Sequence, residues 1–143
     1  MYVVTVETKK QLDDAFRVRT EVFFEEQNVP MEEEIDEFED QAIHFVVYDQ
    51  NETAIGAGRL RFIDGFGKIE RICIVKTSRG TGVGRLLMDK IEEAAQQKGA
   101  SKTKLNAQIQ AETFYKKLGY ETVSDQFMDA GIPHVTMIKT LLS

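Results

Sequence analysis

The chain has 143 residues and a formal charge of −6, from 18 Lys and Arg against 24 Asp and Glu. That is the size of one domain, and its acidic balance weighs against nucleic acid as the main partner, since phosphate binding leaves a basic footprint. The single cysteine, Cys73, excludes an internal disulfide, and no apolar run approaches the roughly 20 residues that span a bilayer.

The opening residues Met1–Glu7 lack the basic start of a secretion signal, so a cytoplasmic protein with one domain over residues 1–143 is expected. Tyr2–Val6 is a short β-branched run and predicts a strand. Thr8 then reads as a helix N-cap, and Gln11 three residues on completes a capping box. Leu12, Ala15, Phe16, Arg19, Val22 and Phe23 follow at helical spacing, and the helix is expected to end before Pro30. Next comes Glu32–Asp40, with seven acids in nine residues. It reads either as a solvated loop or helix end or as an acidic rim that attracts a cationic substrate.

Ile43–Tyr48 and Ala54–Phe62 predict a hairpin across polar residues 49–52. Asp64-Gly65 turns the chain into a further strand, Lys68–Val75. A glycine-rich loop at Arg79–Gly84 leads into the strongest helical pattern, with Val83, Leu86, Leu87, Ile91, Ala94 and Ala95 forming one apolar stripe. Gly99 closes that helix. Lys102–Ala107 predicts a strand, Ala111–Leu118 a short helix closed by Gly119, and Val135–Lys139 a last strand, with a short one near Glu121–Val123. The order β-α-β-β-β-α-β-α-β-β predicts an α/β (α+β) fold, a mixed sheet packed with helices.

The chemistry centres on the loop. A strand, a glycine turn and a helix N-terminus form an anion site, because free backbone N–H groups and the helix dipole meet there. A phosphate-bearing ligand is the natural occupant. A P-loop requires Gly-Lys-Ser/Thr, but Gly84 is followed by Arg85. A dinucleotide fingerprint requires glycine or alanine where Arg85 sits, and an acid at the end of the next strand, which ends instead at Asn106-Ala107. On the loop alone, a bare glycine turn stands beside the phosphate site.

A second segment joins it. Arg79-x-x-Gly82-x-Gly84 and, downstream, Asn106 followed by Ala111-x-x-Phe114-Tyr115-x-x-x-Gly119-Tyr120 together resemble the two motifs of the GNAT acyl-CoA N-acyltransferases, in order and spacing. The N-terminal run Arg19-Thr-Glu-Val22-Phe23-Phe-Glu-Glu26-Gln27-Asn-Val-Pro30, with Glu34-Ile-Asp36 and Gly131-Ile-Pro-His134, resembles the ElaA-like or YjcF-like subgroup. The resemblance implies a GNAT fold: a mixed central sheet of six to seven strands, about four flanking helices, and a fourth strand splayed from the fifth. It implies acetyl-CoA as co-substrate, no metal, a small-molecule or peptide amine acceptor, and a homodimer in many members.

Carried over by position, the backbone of Ile72, Cys73 and Ile74 pairs with the pantetheine arm, and Arg79, Gly80, Thr81, Gly82, Val83, Gly84 and Arg85 wrap the pyrophosphate. The acidic or Asp-Pro pair usual before that loop is replaced here by Val75-Lys76. Asn106 sits where members contact the cofactor, or simply ends its strand. Tyr115 is the catalytic candidate, a phenol placed to stabilise or protonate the departing thiolate, with core packing beside Phe114 as the other reading.

The base is less defined. An alkyl amine with a pKa of about 10.4 is almost wholly protonated at neutral pH, so a proton must be taken. Period two places Glu70 on one face with Ile72 and Ile74, where burial raising its pKa would suit a base; a salt-bridged sheet glutamate is the alternative. Arg19, Gln27 and His134 are candidates for the acceptor side, each with a structural alternative. Cys73, flanked by isoleucines, reads as core rather than as a nucleophile. A non-catalytic acyl-CoA sensor is the rival function.

Overall fold

The computed structural model describes residues 1–141. Eight strands form one sheet: β1 (Tyr2–Thr5), β2 (Ile43–Tyr48), β3 (Ala54–Ile63), β4 (Phe66–Ile74), β5 (Lys102–Gln108), β6 (Glu121–Thr122), β7 (Phe127–Asp129) and β8 (Ile132–Thr140). The order is β1-β2-β3-β4-β5-β8-β6, with β7 also on β8. Every pairing is antiparallel except β4 with β5. Helices α1 (Lys9–Arg19), α2 (Met31–Glu34), α3 (Val83–Gln97) and α4 (Glu112–Lys117) complete the fold. The α/β expectation holds, with one strand more than anticipated. The addition is β7, whose tight turn to β8 uses Ala130 (φ 52°) and Gly131 (φ 75°) in the left-handed region.

The start of α1 is as the sequence predicts. Thr8 Oγ1 accepts from the Gln11 N–H, and Gln11 Oε1 accepts from the Thr8 N–H, both at 3.2 Å. Its end is not. After Arg19 the chain widens into a π-helical stretch, Thr20–Glu26, closed by Asn28 in the left-handed region (φ 61°). π-turns often lie at functional sites, and this one delivers Val22, Phe23 and Glu26 to the cavity described below.

The sheet lies between α1 and α3. Helix α3 approaches it over glycines: a Cβ on Gly58 would stand 2.6 Å from Ile72 Cδ1 and 3.0 Å from Ile91 Cδ1, so any larger residue there must push those side-chain tips aside. Leu87, Met88, Ile91 and Ala95 of α3 are buried together with Phe45, Leu60, Ile69 and Met137 of the sheet; of the stripe read from the sequence, Val83, Leu87, Ile91 and Ala95 are buried, while Leu86 is exposed and Met88 takes a core place instead.

Strand β4 departs from simple alternation. Arg59 pairs with Glu70 and Ala57 with Cys73, so Gly58 alone faces two residues, Arg71 and Ile72. This is a β-bulge, and Arg71 carries its left-handed backbone (φ 59°). The parallel pairing of β4 with β5 ends two residues earlier, at Ile69–Leu105. Beyond that point the β5-facing edge of β4 has no strand partner, and β5 pairs only with β8. The sheet opens into a V.

Candidate active site

The V is the mouth of a cavity of about 880 Å³. One end is the glycine loop, with Arg79, Gly80, Gly82, Gly84 and Arg85. Gly80 and Gly82 hold left-handed conformations, φ 79° and 87°, that other residues adopt only with strain. Gly82 caps α3, and no side chain bonds the first N–H groups of this 15-residue helix, which leaves them open to an anion. At Gly84 space decides: a Cβ there would lie 3.0 Å from Phe114 Cζ.

Of the remaining residues selected from the sequence, Glu70, Ile72, Cys73, Ile74, Asn106, Tyr115, Gln27 and His134 also line the cavity. Thr81, Val83 and Arg19 do not. Thr81 Oγ1 donates to the Ser78 carbonyl at 2.6 Å, and Val83 is buried in the core. Arg19 is only 1% exposed. Its Nε donates to Glu34 Oε1 at 2.6 Å and its Nη2 to Glu39 Oε2 at 2.7 Å. Arg19 therefore fixes α2 to α1 instead of meeting a substrate.

Tyr115 is buried in the wall, edge-on to Phe114 (5.1 Å) and Tyr120 (5.9 Å). Burial raises its pKa well above the ordinary phenol value, and Cys73 nearby adds to the shift. The hydroxyl therefore stays a proton donor at neutral pH. Burial also pushes the Cys73 thiol up to about 12, and its Sγ faces the Ala57 carbonyl at 3.9 Å. A thiolate nucleophile is not available there.

The expectation for Glu70 needs correction. Counting in twos places it with Ile72 and Ile74, but the extra residue at Arg71 inverts the alternation. Ile72 and Ile74 pack over Gly58 and Gly56, on the α3 side. Glu70 joins Arg59 and Arg61 on the other face, its Oε1 accepting from Arg59 Nε (3.0 Å) and Arg61 Nε (2.7 Å). Burial acts to raise its pKa, but the Arg61 hydrogen bonds and the Arg59 and Lys68 charges outweigh it and hold the carboxyl below its usual range. That makes Glu70 a weaker base, the opposite of the raised value anticipated.

The acidic segment is likewise neither a plain solvated loop nor a plain rim. Asp36 binds Arg59 with both carboxylate oxygens, at 2.8 and 2.7 Å, and Arg59 is 1% exposed. Glu39 receives Arg19 and Arg59. Asp36 and Glu39 are both held at about 2: burial opposes this, but hydrogen bonds from Arg59 to Asp36 and from Arg19 to Glu39 prevail. Glu32, Glu33, Glu34 and Asp36 nevertheless line the end of the cavity away from the glycine loop.

His134 Nδ1 lies 2.6 Å from the Ile132 carbonyl, which requires that Nδ1 carry the hydrogen. In the neutral ring Nε2 is then the acceptor. Gln27 Oε1 accepts from Gln108 Nε2 at 2.9 Å. Gln108, which sequence reasoning passed over, lies two residues beyond Asn106 on β5, so period two carried the signal. Arg79 is engaged: its guanidinium binds both carboxylate oxygens of Glu26 at 2.7 Å, and its Nε donates to the Ile74 carbonyl at 2.9 Å. That carbonyl is one of the backbone groups expected to meet a pantetheine arm.

A parallel pair that parts into a V, with a glycine-capped helix at its edge, is the arrangement implied by the two sequence motifs. The family model of the GNAT acetyltransferase domain matches residues 5–141. The chain belongs to the GNAT acetyltransferases. Among its GNAT relatives, the uncharacterized N-acetyltransferase YjcF of Bacillus subtilis is 55% identical, over 97% of this chain and 99% of that protein. A solved structure from Lactobacillus plantarum, assigned as an N-acetyltransferase, superposes with a TM-score of 0.91 at 30% identity, covering 98% and 97% of the two chains. Escherichia coli ElaA shares the fold, with a TM-score of 0.83 at 24% identity over 96% of each chain. Acyl transfer is thus the activity class, and no helix among the described residues is long and apolar enough to cross a membrane.

Proposed function

We propose that this GNAT protein transfers an acetyl group from acetyl-CoA to a primary amine by direct attack within a ternary complex, working as one domain in the cytoplasm. The observation that carries this reading is the open V, with free helix N–H groups at one end and the Tyr115 hydroxyl in its wall. A GNAT neighbour known only by shared fold, an aminoglycoside 6′-N-acetyltransferase (TM-score 0.80, 14% identity), is solved with coenzyme A. Here Gly80, Gly82, Gly84 and Arg85 would take the pyrophosphate, and the unpaired edge of β4 beside Ile72 and Cys73 would take the pantetheine arm.

In the proposed reaction the amine nitrogen attacks the thioester carbonyl, a C–N bond forms and the C–S bond breaks. Tyr115 donates its proton, or a hydrogen bond, to the departing sulfur. The nitrogen must lose a proton, and His134, whose Nδ1–H is tied to the Ile132 carbonyl, has Nε2 left over to receive it. Glu70 is too firmly held by arginines for that task. Cys73 takes no covalent part.

Thermal stability in the presence of acetyl-CoA, CoA, ATP and NAD tests the cofactor. A shift with the CoA compounds alone is expected, by mass action. Thiol release from acetyl-CoA with a panel of amines then tests the transfer. Tight CoA binding without thiol release for any amine would leave an acyl-CoA sensor in place of the enzyme.

A further inference from the structure

Tyr115 lines the cavity, yet among the described residues no side-chain hydrogen bond aims its hydroxyl; burial and the nearby Cys73 account for its whole pKa shift. The ring is held by packing alone, edge-on to Phe114 and to Tyr120. These two neighbours differ. Phe114 is 37% exposed and itself lines the cavity. Tyr120 is 2% exposed and tied through its hydroxyl.

That tie is a buried polar chain with no part in the reaction described above. The Tyr120 hydroxyl lies 2.9 Å from Glu92 Oε2 and 2.8 Å from Thr103 Oγ1. A phenol has one hydrogen, and a carboxylate only accepts. Tyr120 therefore donates to Glu92, and Thr103 donates to Tyr120. Lys139 Nζ donates to the other carboxylate oxygen, Glu92 Oε1, at 2.7 Å. The chain thus joins α3, β5 and β8 to the residue that ends the α4 turn. The Tyr120 N–H closes that turn by donating to the Tyr115 carbonyl at 3.1 Å.

Stability alone does not explain a buried charge in α3, because apolar groups of similar volume often serve as well or better. Directional bonds with every partner in place instead fix one arrangement where apolar packing tolerates several. Resting on the reading of Tyr115 as the donor to sulfur, we propose that Tyr120 is a positioning residue for the acyl transfer: anchored by Glu92 and Thr103, its ring sets the angle at which the Tyr115 hydroxyl meets the departing sulfur. Placement matters there, since a catalytic hydrogen bond forms only over about 2.6–3.2 Å. Without its hydroxyl the Tyr120 ring loses its anchor, and Tyr115, with no bond of its own, moves with it. The glycine loop and the open edge of β4 are untouched, so CoA binds as before while the thiolate departs less readily.

Thiol release is followed at saturating acetyl-CoA and amine, using the amine that reacts fastest in the panel above. The native protein is compared with Tyr120→Phe, Tyr115→Phe and the double variant, and CoA affinity is measured by calorimetry. Tyr120→Phe is expected to lower kcat about tenfold, within the scale of a misplaced catalytic group, and to keep CoA affinity within about twofold. In the Tyr115→Phe background the same change is expected to do nothing further, because no hydroxyl is left to aim. A merely structural role would lower kcat by the same factor in both backgrounds. That result overturns the proposal, as does an unchanged kcat, or a CoA affinity that falls in step with kcat. Should Tyr120→Phe not fold, Glu92→Gln takes its place in the cycle. It keeps the shape but removes the charge that receives the phenol, and a loss of about threefold is expected only where Tyr115 is present. The donor reading fails by separate signs, native kcat in Tyr115→Phe alone or no thiol release with any amine, and either removes this proposal with it.

Discussion

Tyr115 and Cys73 lie in one wall of the cavity, and burial shifts both towards the protonated form. For the phenol this preserves a donor; for the thiol it removes a nucleophile. Tyr115→Phe is accordingly expected to lower kcat by about 10²-fold, the scale of a lost donor at a developing charge, with CoA affinity unchanged by calorimetry. Cys73→Ala should keep kcat within about threefold, and rapid-quench kinetics should show no acyl-enzyme burst. Tyr115 was legible in the sequence because its neighbours Phe114, Gly119 and Tyr120 form a spaced motif around it. Glu34 was not. Its seven-acid segment looks uniform until the fold buries some of its members against Arg19 and Arg59.

At the scale of elements, periodicity located the hairpin, both long helices and the capping box, because these obey local rules. It failed where the chain breaks period. The π-stretch after Arg19 and the bulge at Arg71 each add a residue that no propensity marks, since Val22-Phe23-Phe24 and Ile69–Ile74 read as ordinary helix and strand. The cost of the second was specific: it assigned Glu70 to the wrong face of β4. The loop before α3 makes a sharper prediction. Gly82→Ala forces a Cβ into φ 87° with open space around it, so the strain is conformational, about 1–2 kcal/mol. Chemical denaturation should show that loss. Gly84→Ala keeps an ordinary backbone but crowds the Phe114 ring. It should weaken CoA binding by displacing α4, together with Tyr115, from the helix N-terminus.

Over the whole molecule, the layer between α1 and the sheet is held partly by ions. Asp36 and Glu39 sit at about 2, against ordinary values of 3.8 and 4.5. A carboxyl depressed in the folded state stabilises the fold above its unfolded pKa and loses that contribution as pH falls through the folded value. Urea midpoints should therefore decline between about pH 5 and pH 2. Asp36→Asn should be less stable at pH 7 and show a shallower acid decline. Most of the order of elements was readable from the sequence because the longer strands and helices announce themselves locally, whereas β7 and the short α2 did not. The V was not, because it depends on where two strands stop pairing, and it was inferred only through resemblance.

The bulge on β4 also imposes a constraint on length. At the exposed turn of residues 49–52, by contrast, a residue gained or lost shifts only a loop. Excising Arg71 would restore strict alternation, turning Ile72 and Ile74 away from the α3 side and Cys73 towards it. Inside and outside would exchange for every residue from there to the glycine loop. This strand therefore tolerates substitution far better than insertion or deletion, and a variant lacking Arg71 should lose CoA binding even where its secondary structure, by circular dichroism, is retained.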